Sequence, residues 1–157
     1  MKAAAGPRAV QVRRLRVRDA PFLVALGDSL FDRPPATAAL RSYLADPRNL
    51  FLMATIGGVG AGFLRGTMLR QLHTRRPQMF LYEIGVVRQF RRQGVGRALL
   101  HWLLRYCREH RYDEVFVLTQ PSNRAAVRLY RNTGAVTETP GDRMFVYPLG
   151  RSRPRSG

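Results

Sequence analysis

The sequence predicts a mixed α/β domain, and three observations carry that prediction. Strand-like and helix-like hydrophobic patterns alternate along the chain. With 157 residues and 45% hydrophobic content, there is enough chain for one sizeable core and too little for two ordinary domains. An apolar strand also runs straight into a glycine-containing turn that opens the longest amphipathic helix.

In chain order, residues 10–17 interleave Val10, Val12, Leu15 and Val17 with arginines, as an edge strand does. Asp19 is a candidate cap for a helix with Pro21 in its first turn, running to about residue 30. Pro34-Pro35 breaks the chain, and a short helix over about 36–45 ends before Asp46-Pro47. Residues 50–56 and 61–69, separated by Gly57-Gly58-Val59-Gly60, read as a hairpin. Residues 80–87 form the next strand. Val95, Leu99, Trp102, Leu103 and Tyr106 recur at helical spacing over 95–109, with Arg105 and Arg108 on the other side. A short buried strand at 115–118 precedes a helix over 123–132, capped by Ser122 and ended by Gly134. Residues 143–147 supply the last strand. The domain spans 9–149, between a flexible segment at 1–8 and a basic, breaker-rich tail at 150–157 that is expected to be disordered.

Composition narrows the function classes. Cys107 is the single cysteine, so an intramolecular disulfide and a cysteine metal cluster are both excluded, and a reducing, cytoplasmic setting fits. Residues 1–10 have no signal-peptide core. The most apolar stretch, 50–64, is interrupted by four glycines and is shorter than the roughly 20 residues that span a bilayer. No membrane partner is expected. Basic residues number 27 against 10 acidic ones, a net charge of +17, and Lys2 is the only lysine. Such a field favours polyanions, either nucleic acid or a phosphorylated cofactor. Solvated arginines that reflect genomic base composition are the other reading of the same excess. The arginines are scattered over most elements without a stacking motif, which disfavours a nucleic-acid module.

The chemistry-bearing segment is Phe80-Leu81-Tyr82-Glu83-Ile84-Gly85-Val86-Val87 leading into Arg91-Arg92-Gln93-Gly94-Val95-Gly96. The first N–H groups of a helix lack intrahelical acceptors, and the helix dipole adds positive charge there, so this junction is an anion site. Gly94 and Gly96 remove the Cβ atoms that block close approach, and Arg91, Arg92 and Arg97 add charge. The same glycines also permit tight packing. Neither the dinucleotide fingerprint nor the phosphate loop of nucleotide hydrolases is matched.

The pattern Arg-x-x-Gly-x-Gly after a strand resembles the cofactor motif of the GNAT superfamily of N-acetyltransferases. A second motif follows in order, Asn123-Arg124-Ala125-Ala126-Val127-Arg128-Leu129-Tyr130 and then Gly134-Ala135, with Ala135 where the family carries an aromatic residue. The resemblance covers about 10–149. It implies a GNAT fold, with a mixed central sheet of six to seven strands flanked by about four helices, and acetyl-CoA as co-substrate. It further implies that Val86, Arg91, Arg92, Gln93, Gly94, Gly96, Arg97 and Asn123 hold the cofactor and that Tyr130 protonates the departing thiolate. Glu83 is the candidate base for the incoming amine. Strand alternation puts Glu83 and Gly85 on one face, opposite Tyr82, Ile84 and Val86.

Within the superfamily the chain is most similar to the type I aminoglycoside 3-N-acetyltransferases, through the segment 80–96, Gly27-Asp28-Ser29-Leu30-Phe31-Asp32 and Tyr43-Leu44-Ala45-Asp46-Pro47. That resemblance implies an aminoglycoside acceptor, with Asp28, Asp32, Tyr82 and Glu83 binding it and Glu138 and Asp142 as further acidic groups. It also implies an antibiotic-resistance role, and dimers are common in the group. Two features stand against a polycation: the net charge, and the lack of a carboxylate in Thr119-Gln120-Pro121-Ser122-Asn123. Peptide, protein or polyamine amines are alternative acceptors, and a CoA-binding module without chemistry is a third reading. His73, His101 and His110 show no ligand spacing, so no metal is expected. Cys107 and Trp102 read as core.

Overall fold

The computed structural model describes residues 9–31 and 33–137, without the side chains of Asp28 and Ser29. Its elements follow the predicted order. They are β1 (Val10–Arg14), α1 (Ala20–Leu30), α2 (Thr37–Ala45), β2 (Asn49–Ile56), β3 (Val59–Leu69), β4 (Gln78–Val86), α3 (Val95–Glu109), β5 (Val115–Val117) and α4 (Arg124–Asn132). The five strands form one mixed sheet in the order β1-β2-β3-β4-β5. β1 to β4 pair antiparallel, and β5 runs parallel to β4. Five strands stand among the described residues against the expected six to seven, and the predicted strand at 143–147 lies outside them.

Both faces of the sheet are covered. On one, the apolar stripe of α3 places Val95, Leu99, Leu100, Leu103 and Cys107 against Leu50, Leu52, Leu64 and Leu81, with Leu129 and Tyr130 of α4 beside them. On the other, Leu23 of α1 and Leu40 of α2 close over Phe51, Met53 and Phe63. Each fully buried leucine contributes about 2 kcal/mol of transfer free energy.

Two caps differ from the sequence reading. The carboxylate of Asp19 makes no bond to α1; it accepts from Arg16 N–H at 2.7 Å and from the Arg13 guanidinium at 3.0 Å. α4 is capped by Asn123 in place of Ser122, its side-chain oxygen accepting from Ala126 N–H at 3.1 Å. One residue of helix start moves the α4 cap from Ser122 to Asn123, whereas Asp19 ends a 3-10 turn over Val17–Asp19 and reaches back to the N–H of Arg16 that precedes it.

The largest departure lies in β4. Arg65 of β3 faces Glu83, but the next residue, Gly66, faces Leu81, so Tyr82 is an unpaired β-bulge residue. Simple alternation, which set Tyr82 opposite Glu83, therefore fails at this one position. Ile84 and Val86 share a face, as the alternation predicts, and that face packs toward α3. Tyr82 stays on the side of Phe80, whose ring it meets edge-on at 5.7 Å, and Arg65 reaches both Tyr82 and Glu83.

Burial raises the Cys107 thiol to about 12, far above its ordinary value. In the folded protein the thiol therefore stays protonated at pH 8, and a disulfide reagent such as DTNB should react with it only after denaturation. Full reaction under native conditions would show that the core around α3 opens readily.

Candidate functional site

β4 pairs with β5 only over Met79–Leu81, and that pairing stops at the bulge. Beyond it, the β5-facing edge of β4 borders an open cleft of about 1270 Å³. Residues 83–88 of β4 and the following turn form one wall, the start of α3 the floor, and the start of α4 the opposite wall.

The floor is built for an anion. Gly94 adopts the left-handed conformation (φ 80°), as does Arg92 (φ 63°). The first α-helical bond of α3 runs from Ala98 N–H to Gly94 carbonyl at 2.9 Å, so the preceding N–H groups have no helical acceptor. A Cβ at Gly94 would meet nothing, so its φ alone demands glycine. At Gly96 a Cβ would stand 3.0 Å from Leu129 of α4, so this glycine sets the close approach of the two helices as well as access to the floor. The walls carry Arg88, Arg91, Arg92, Arg97, Arg124 and Arg128, against the single carboxylate of Glu83 among the described lining residues. Six cations around an N-terminal helix turn make a polyanion cradle.

Most of the predicted site residues meet here. Glu83, Val86, Arg91, Arg92, Gly94, Gly96, Arg97 and Asn123 all line the cleft. Gln93 does not line it; its side-chain amide donates to the Gln89 carbonyl at 2.9 Å and braces the turn. Tyr130 lies on the inner face of α4, packed on the sheet core, while its neighbours Leu129 and Thr133 line the cleft. Burial raises its phenol above the ordinary tyrosine value. Tyr82 is exposed, under the Arg65 guanidinium at 4.3 Å from its ring. Asp32, Glu138 and Asp142 lie outside the described residues, as does the side chain of Asp28.

Glu83 occupies a junction. It lines the cleft and also a second cavity of about 420 Å³ formed by Phe31, Arg33 and Pro35, which follow α1, and by α2, β2 and β3. Arg65 Nε donates to its Oε2 at 2.7 Å. Sequence reading missed Arg65, because only the strand register sets it opposite Glu83. It also missed Arg124 and Arg128, although their i, i+4 spacing beside Asn123 puts them on one helix face.

The sequence profile of the Acetyltransferase (GNAT) family matches residues 11–135, which includes both the α3 and the α4 motifs. The chain belongs to the GNAT acetyltransferase family. Members of this family transfer acetyl groups from acetyl-CoA to amines, and the arginine-lined cleft fits the phosphates of that co-substrate. Among relatives, N-acetyltransferase 8 of Rattus norvegicus is 31% identical over 94 residues, which are 60% of this chain and 42% of the relative. The chain thus spans less than half the length of that relative. Among solved structures, aminoglycoside acetyltransferase meta-AAC0020 from an uncultured soil metagenomic sample, in complex with sisomicin, superposes with a TM-score of 0.80. It is 24% identical, and the match covers 90% of this chain and 97% of that one. Aminoglycoside N-acetyltransferase AAC(6')-Iy in complex with CoA gives 0.74 at 21% identity, covering 93% and 98%. Both show that the fold is shared. No described helix is long and apolar enough to cross a membrane.

Replacing Gly94 with alanine leaves the space unchanged but forces a side chain into the left-handed region. The variant should lose about 1 kcal/mol of stability in denaturant unfolding. An unchanged midpoint would mean that the turn relaxes into another conformation.

Proposed function

We propose that this chain is an acetyl-CoA-dependent N-acetyltransferase that modifies a primary amine of a small molecule. The observation that carries this reading is the position of Glu83, the one described acidic residue shared by the polyanion cleft and the neighbouring cavity.

The division of labour follows from the chemistry of each group. The α3 N-terminus with Gly94 and Gly96, and the arginines around it, hold the pyrophosphate. Backbone groups of β4 beyond the bulge, at Val86 above all, offer hydrogen bonds to an extended amide-bearing arm. The amide of Asn123 remains available on the same wall, since only its oxygen is used in capping α4. When bound, acetyl-CoA supplies the thioester carbon that the amine attacks and the thiolate that leaves. Glu83 accepts the proton that the acceptor ammonium must lose before attack. Tyr130, whose hydroxyl makes no hydrogen bond among the described residues, is the donor to the departing thiolate. Its raised pKa keeps that proton in place at neutral pH.

An aminoglycoside acceptor is supported by the two structural neighbours named above, whose own acceptors are aminoglycosides. Against it, the described wall of the second cavity carries Arg33 and Arg65 beside the single carboxylate of Glu83. A resistance role depends on that acceptor.

Free-thiol release from acetyl-CoA with a panel of primary amines tests the activity. Glu83→Gln should keep acetyl-CoA affinity and lower kcat by about 100-fold or more; unchanged turnover would remove Glu83 from the chemistry. Tyr130→Phe should also lower kcat. Because the protonated phenol is the active form and its pKa is raised, the wild-type rate that depends on Tyr130 should persist to about pH 10 and fall only above it. Equal rates for Tyr130→Phe and wild type at every pH would assign thiolate protonation to water.

A further inference from the structure

The second cavity has two chemically distinct sides. Phe31, Phe51 and the ring of Tyr43 make one of them apolar, with Phe31 and Phe51 edge-on at 6.3 Å and Tyr43 and Phe51 edge-on at 6.2 Å. The other is charged, carrying Glu83, Arg65 and Arg33. The 2.7 Å bond between Arg65 Nε and Glu83 Oε2 sets opposite charges side by side on one wall. The terminal nitrogens of Arg65 donate to no group among the described residues. Its guanidinium is held by ring faces, at 4.3 Å from the centre of Tyr82 and 5.9 Å from that of Tyr43. The donors it keeps for a ligand are therefore pre-oriented.

A neighbouring carboxylate and guanidinium complement a ligand whose own ammonium and carboxylate are one carbon apart. The ammonium meets Glu83. The ligand carboxylate meets the remaining N–H groups of Arg65, with Arg33 as a second cation. A polycation would bring further ammonium groups against two arginines. A monoamine without a carboxylate would cover those guanidinium groups without bonding them, at a desolvation cost. The floor beyond, made of Phe31 and Phe51, suits an apolar side chain.

We propose that the acceptor is an α-amino acid with an apolar or aromatic side chain, its carboxylate bound by Arg65 and Arg33 and its amine presented to the cleft beside Glu83. This rests on the acetyltransferase reading above. In the reaction the amino nitrogen loses one proton to Glu83 and another as its lone pair forms the N–C bond. The thioester C–S bond breaks with its electron pair on sulfur, which takes up a proton. The products are the N-acetyl amino acid, the CoA thiol and one proton released to solvent.

The test is free-thiol release from acetyl-CoA with L-phenylalanine, L-phenylalaninamide, phenethylamine and sisomicin as acceptors. The amide has the less basic and so more readily deprotonated amine, so a preference for the acid reports the carboxylate. The expected kcat/KM for L-phenylalanine is at least tenfold above those of the amide and of phenethylamine. Arg33→Gln and Arg65→Gln should each collapse that ratio, mainly by raising KM for the amino acid. Equal or better turnover of the amide or phenethylamine overturns the inference, as does turnover of sisomicin with L-phenylalanine inert; in both cases the acetyltransferase reading stands. No thiol release with any amine overturns both.

Discussion

The bulge at Tyr82 is the constraint on which the site depends. An unpaired residue in β4 bends the strand and shifts its alternation by one. Before it, Met79 and Leu81 point into the core beneath α3 and pair with β5; after it, Ile84 and Val86 take over that face while the edge of the strand borders the cleft. The same shift turns Tyr82 and Glu83, adjacent in sequence, toward one side of the sheet, where Arg65 touches both.

The large positive charge is organised by this geometry. Six arginines converge on the cleft from three separate segments: the turn after β4, the start of α3 and the start of α4. Others serve locally, as in the Arg13–Asp19 and Arg48–Asp46 pairs, which are exposed and contribute little to stability. Hydrogen bonds from Arg48 hold the Asp46 carboxyl at about 2, well below the usual range, and fix the turn that enters β2. Two more arginines, Arg33 and Arg65, line the second cavity, away from the six that surround the cleft. A net charge of +17 thus contains at least two distinct local roles.

Helix packing and anion binding share the same short stretch. Gly94 supplies the left-handed turn that starts α3, and Gly96 lets Leu129 approach, so α4 lies close enough to bring Asn123, Arg124 and Arg128 to the cleft. Of the two readings of these glycines, packing is seen at Gly96, where a Cβ would stand 3.0 Å from Leu129, while Gly94 is required by its left-handed φ.

Hydrophobic periodicity together with turn and breaker residues determined the order and type of the described α-helices and strands, because period 3.6 in residues 95–109 and the turn residues at 57–60 leave little choice of local structure. Motif spacing likewise determined the family and most of the cleft residues, since an anion site at a helix start is built from consecutive residues. What the sequence left undecided was non-local. Register alone sets Arg65 against Glu83, and one inserted residue undoes the alternation that a linear pattern assumes. Capping passed from Ser122 to Asn123 for a similar reason, one position of helix start. The second cavity, with walls from residues after α1 and from α2, β2, β3 and β4, exists only once the sheet has assembled, so its arginine–carboxylate pair could be read only from tertiary structure.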